Sequence, residues 1–128
     1  MNLNGDLYSV ISRTEADGSR SFRIGLNPDH WIKECHFPGN PIVPGVFLLQ
    51  MVTELLQGEM GYKLSISEIK NVKFLNVISP QVNREVGVKL SGITPVEGGV
   101  KVQAVFSDCA DPTRLFAKMS LTLKDKMI

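Results

Sequence analysis

Three successive segments in the second half of the chain alternate apolar and polar residues with a period of two. Val86, Val88 and Leu90 are separated by Gly87 and Lys89, and Val100, Val102, Ala104 and Phe106 by Lys101, Gln103 and Val105. Leu115, Ala117, Met119, Leu121 and Leu123 alternate with Phe116, Lys118, Ser120 and Thr122. Strands of this kind belong to an antiparallel sheet with one buried face. Gly98-Gly99 and Asp111-Pro112 supply the turns between them. A fourth strand is predicted over Ser67–Ile78, stopped by Ser79-Pro80. Near the start, Leu7–Arg13 and Ser21–Leu26 read as a hairpin joined through an Asp-Gly turn signal at Asp17-Gly18.

One stretch has the other period. Val46 to about Met60 (VFLLQMVTELLQGEM) is apolar all round in its first turn, as expected of a buried helix start. Further along, Leu48, Val52 and Leu55 lie opposite Gln50, Thr53, Glu54 and Gln57, which share a face at i, i+3, i+4 and i+7. Gly58 and Gly61 loosen and end it. One largely apolar helix among six strands needs a large apolar surface around it. The economical solution is an α+β domain, one over residues 1–128, in which one curved antiparallel sheet wraps a central helix.

Composition supports a folded chain and excludes several classes. In 128 residues, 43% are hydrophobic and 21% charged, against a disordered tail, a collagen-like fibre or a coiled coil. Fourteen basic against thirteen acidic side chains give a net charge of +1, so no global field favours nucleic acid or a membrane surface. The opening MNLNGD has no basic-then-apolar signal pattern, and no run approaches a membrane span, so the expected place is the cytoplasm. Cys35 and Cys109 are read as reduced thiols. His30, Cys35, His36 and Cys109 fit no zinc spacing, and neither a metal nor a cofactor is expected.

Between the hairpin and the helix lies Asn27–Gly45, too rich in proline and glycine for helix or central strand. Its core reads His36-Phe37-Pro38-Gly39-Asn40-Pro41-Ile42-Val43-Pro44-Gly45-Val46. The prolines stiffen the segment and hold His36 in place. Pro44-Gly45 opens the helix, where backbone N–H groups are unpaired and the dipole is positive. A thioester carbonyl approaching the bare Gly45 there would have its α-proton acidified. His36, with an ordinary pKa near neutrality, suits a general base. An isolated histidine would more readily be read as a packing residue, as His30 is. Cys35 is read as a small buried hydrophobe, since neighbours in an extended chain face opposite ways.

This segment resembles the HFPGxPxxPGV motif of the 3-hydroxyacyl-(acyl carrier protein) dehydratases of fatty-acid synthesis. Looser similarity follows along the helix, Ile69–Pro80 and the closing strands. The resemblance implies the hotdog fold and a lyase that forms trans-2-enoyl thioesters. It implies that the carbonyl of Ile42 orients the imidazole of His36 and that the N–H of Gly45 binds the thioester. Phe37 and Val46 are taken with Gly45 and Ile42 as substrate-binding. It also implies an acyl carrier protein as partner and a homodimer, or a multiple of one, with side-by-side sheets. Each site would then pair His36 with position 50 of the other subunit.

The family places an acidic residue on the helix, fourteen positions after the histidine. That position here is Gln50, whose amide hydrogen-bonds but neither donates nor accepts a catalytic proton at neutral pH. Glu54 is one turn further, roughly 6 Å along the axis, and with Thr53 and Gln57 is read as the polar face of an amphipathic helix. Two alternatives to the dehydratase stand: a non-catalytic acyl-thioester-binding accessory protein, and a hotdog thioesterase using a water held by Gln50 or Glu54.

Overall fold

A computed structural model describes residues 3–29 and 42–126. Strand β1 (Tyr8–Ala16) turns at Asp17-Gly18, both with positive φ, into β2 (Ser19–Leu26). Helix α1 (Gly45–Met60) precedes β3 (Leu64–Phe74), β4 (Glu85–Val96), β5 (Gly99–Asp108) and β6 (Leu115–Asp125). The strands form one antiparallel sheet in the order β1-β2-β4-β5-β6-β3.

The helix lies against the inner face of this sheet. Leu48, Met51, Val52, Leu55 and Leu56 are buried at i, i+3, i+4, i+7 and i+8, a continuous apolar stripe. It meets the inward positions of the central strands, among them Ile24, Val88, Leu90, Ala104, Phe106, Met119 and Leu123. The alternation in β4, β5 and β6 therefore has the predicted cause: every second residue enters one core. Gly61 ends the helix in the left-handed region, its φ of 83° letting its N–H return to Gln57 O at 2.8 Å.

The strand expected over Ser67–Ile78 is displaced: β3 begins at Leu64 and leaves the ladder after Phe74. Leu75 N–H still reaches Phe116 O, but Ile78 turns its carbonyl to Val43 N–H at 2.8 Å. The apolar run continues past the strand because Ile78, only 2% exposed, packs in the core under the chain that leads into the helix.

β1 and β3 are the sheet edges, and both are mostly exposed. On β3, Ile69 and Phe74 stand opposite Leu121 and Ala117 on the inner face. Their partners are buried, yet they remain 51% and 55% exposed, because β3 is an edge strand with no neighbour on its outer side.

Candidate functional site

The start of α1 is built by its neighbours. Pro44, the residue before it, is extended at φ −62° and ψ 147° and offers no side-chain cap, and the first turn holds no acid. The amides of Gly45 and Val46 thus sit at the positive end of the helix without an intrahelical acceptor. The Val43–Ile78 hydrogen bond pins the approach to this turn.

Gly45 is required here by close approach. A Cβ on it would lie 2.5 Å from Phe74 Cζ and 2.8 Å from Cε1, so the far edge of the Phe74 ring occupies the space a side chain would need. The bareness of Gly45 therefore admits Phe74 of the same chain. What remains for a ligand is the N–H, which points along the helix axis. No sequence signal identified Phe74 as part of this corner.

Gln50 and Glu54 meet. Gln50 Nε2 donates to Glu54 Oε2 at 2.9 Å, closing the distance that the helical rise alone would leave. Because a carboxylate only accepts, this bond orients the amide, with its NH₂ toward Glu54 and its Oε1 away. Glu54 also accepts from Leu3 N at 2.7 Å, Asn4 N at 2.9 Å and the Tyr8 hydroxyl at 3.0 Å. Each carboxylate oxygen thus receives two donors, and the group ties the N-terminal segment to the helix. Burial, and then the adjacent Glu54 charge, hold the Tyr8 hydroxyl far above the ordinary phenol range.

The reading of Thr53, Glu54 and Gln57 as a solvated polar face is corrected. Thr53 is buried and its hydroxyl donates to Leu49 O at 3.0 Å. Gln57 Oε1 accepts from Leu64 N at 3.0 Å, fixing the start of β3. Thr53 thus bonds back within its own helix, while Glu54 and Gln57 satisfy groups brought in by the tertiary fold. A cleft of about 550 Å³ runs between this side of the helix and β3, lined by Gln50, Thr53, Glu54, Gln57, Ile66 and Lys126 among others.

Of the remaining site residues, Ile42 is half-buried and Val46 is 62% exposed beside Gly45. Val46 and Gln50, four residues apart, share a helix side. His36 and Phe37, with His30 and Cys35, lie outside the described residues. Cys109 is a free thiol whose pKa is raised chiefly by burial, so it is protonated at neutral pH. Among the described residues, no three of His, Cys, Asp and Glu gather as a metal site, and no helix is long and apolar enough to cross a membrane.

A six-stranded antiparallel sheet folded round one helix, with a Pro-Gly turn at the helix start, is a hotdog protein. Residues 12–102 match the ApeI-like family model, described as ApeI dehydratase. The chain belongs to this family. Among solved structures it is similar to the dehydratase heterocomplex ApeI:P from Xenorhabdus doucetiae, with 21% identity and a TM-score of 0.67 over 90% of this chain and 96% of that one. It is similar to an uncharacterized protein from Erwinia carotovora subsp. atroseptica, at 21% identity and 0.65 over 95% and 99%. A mutant of a hypothetical thioesterase protein from Streptococcus pneumoniae TIGR4 shares the fold at 12% identity and 0.62, over 95% and 93%.

Proposed function

We propose that this chain dehydrates 3-hydroxyacyl thioesters presented by an acyl carrier protein, with His36 as both base and acid. The observation that carries the reading is the family match over residues 12–102, which takes in the His36–Val46 motif and Gln50. The Gly45 N–H holds the thioester carbonyl, and enolate charge develops on that oxygen. His36, oriented by the Ile42 carbonyl, takes the α-proton. The C–O bond to the 3-hydroxyl then breaks, the imidazolium returns the proton to the leaving oxygen, and the products are the trans-2-enoyl thioester and water. Phe37 and Val46 flank the acyl chain.

The bond from Gln50 to Glu54 supports the one-histidine scheme. With its NH₂ held by Glu54, the Gln50 amide is fixed in orientation and, lacking an acidic proton, is unsuited to proton donation. Glu54, receiving four donors, is occupied as an anchor.

The reading extends to a dimer through the β3 edge. Ile69, Phe74, Leu75 and Val77, together with Val46, expose apolar surface at one corner, each at least 47% accessible. An uncovered strand edge beside such a patch invites pairing with a second copy. In such a dimer, the resemblance to the dehydratases would pair His36 with Gln50 of the partner subunit.

The test supplies purified protein with a 3-hydroxyacyl thioester and, separately, with its enoyl product. Interconversion of the two without release of thiol is expected. Free thiol would replace the reading with hydrolysis. Tight binding with no turnover in either direction would replace it with the accessory reading.

A further inference from the structure

The outer face of the sheet carries one row of side chains that crosses all six strands in register. Lys73 stands opposite Lys118, Lys118 opposite Val105, Val105 opposite Lys89, Lys89 opposite Ser21, and Ser21 opposite Thr14. The three lysines are exposed, and among the described residues none lies within ion-pair distance of a carboxylate. Lys73 and Lys118 are like charges directly across a strand pair, an arrangement that destabilises a sheet.

The flanking rows do not neutralise them. On one side run Asn71, Ser120, Gln103 and Ser91, and on the other Ser107, Gly87, Arg23 and Ser12. Neither holds a carboxylate. Glu85, at the margin, is engaged by Arg23. Glu68, opposite Thr122, is exposed on the same face and lies beyond the flanking row. Among the described residues the three lysines thus form a row without an ion-pair partner in a chain whose net charge is only +1.

We infer that this row is a docking surface for an acidic helix of a partner protein. Neighbouring strands are about 4.8 Å apart, so the lysines fall at roughly 0, 5 and 14 Å along a line perpendicular to the strands. A helix laid along that line presents carboxylates at about 5.4 Å per turn, so acids at i, i+3 or i+4, and i+10 face all three ammonium groups. The half-buried Val105 leaves an apolar seat between them. No aromatic side chain interrupts the row to stack a base, which disfavours single-stranded nucleic acid. The row ends at Lys73, next to Phe74, whose ring covers Gly45. A helix docked there lies at the margin of the candidate site. The inference itself stands on the charge pattern and not on the proposed reaction.

The test measures binding to a synthetic helical peptide with glutamates at i, i+3 and i+10, over a range of salt concentrations. Lys73→Gln/Lys89→Gln/Lys118→Gln is expected to weaken binding at least tenfold and to flatten its salt dependence. Lys70→Gln/Arg84→Gln/Lys101→Gln, with the same change in net charge, should weaken it less than threefold. The row variant should also unfold at a higher temperature than wild type, which shows that lost binding is not lost folding. Equal weakening by both triple variants would reduce the effect to net charge and overturn the inference. So would failure to bind the peptide, whether or not vesicles of anionic phospholipid or duplex DNA bind instead.

Discussion

Gln50 Nε2 lies 2.9 Å from Glu54 Oε2, and the carboxylate that receives it also holds the backbone amides of Leu3 and Asn4 and the hydroxyl of Tyr8. This gives a physical account of an amide at position 50. A second carboxylate there would face Glu54 at hydrogen-bond distance, and two such groups cannot both ionise without strong repulsion.

Gln50→Glu tests that account. Two carboxylates at that distance repel when both are ionised, so the carboxyl introduced at position 50 has a raised pKa and holds its proton to higher pH than an ordinary Glu. Above that pKa both groups ionise and stability falls, by about 1–3 kcal/mol. Stability recovers as the pH drops through the raised value. The retained proton is available to the departing hydroxyl, so dehydration of a 3-hydroxyacyl thioester should rise by up to ~10²-fold at neutral pH and lose that gain in alkali. Turnover and thermal unfolding from pH 5 to 9 check both parts. A flat profile with unchanged turnover would remove position 50 from the chemistry.

Glu54→Ala leaves the N-terminal segment and Gln50 without their common acceptor. The expected loss is about 1–3 kcal/mol of folding stability, because the part-buried Leu3 amide, Tyr8 hydroxyl and Gln50 amide lose a charged partner. Hydrogen exchange should show Leu3 and Asn4 amides losing protection ahead of the sheet. Unchanged protection would mean that the segment is held by Leu3 and Leu7 packing alone.

Gly45→Ala forces the Phe74 ring away from the helix start. Overpacking here should cost about 1–3 kcal/mol, read as a lower unfolding midpoint. Adding Phe74→Ala should restore most of the loss by emptying the same space. Equal midpoints for the single and double variants would show that the ring swings aside freely.

His36→Ala should abolish hydration and elimination while leaving the unfolding midpoint within a few degrees of wild type. The stiffness of that segment resides in Pro38, Pro41 and Pro44. Full turnover would exclude His36 as the base, and global unfolding would make it a structural residue.

Ile69→Lys puts a charge at the centre of the exposed inner side of β3. If the proposed β3-edge dimer forms, light scattering is expected to show wild type as a dimer and the variant as a monomer at micromolar concentration, with circular dichroism unchanged. Identical mass for the two proteins would place self-association elsewhere.

The architecture was largely legible in the chain. Alternation over Val86–Leu90 of β4 and along β5 and β6 reports the face that enters the core, and the 3.6-residue period of α1 reports a stripe buried on a helix. β3 was misjudged at both ends because its burial is irregular: it is an edge, register shifts interrupt its ladder near Ile66 and Ile69, and beyond Phe74 the apolar run divides, with Ile78 entering the core from outside the strand while Leu75 and Val77 stay exposed. In the candidate site, Gly45 and Gln50 were legible as positions in a motif. Phe74 and Tyr8, which surround them, were not, since each arrives from a distant strand.

What the sequence by itself determined is therefore whatever depends on neighbours along the chain: the period of each strand, the Pro44-Gly45 helix start, and the spacing from His36 to Gln50. Only the tertiary structure decided the state of the polar groups. Glu54 and Gln57 have the spacing of a solvated stripe, but their partners Leu3, Asn4, Tyr8 and Leu64 are brought to them by chain reversal. A carboxylate becomes an anchor or an acid according to how many donors surround it, and donors contributed from fifty residues away leave no mark in the local pattern.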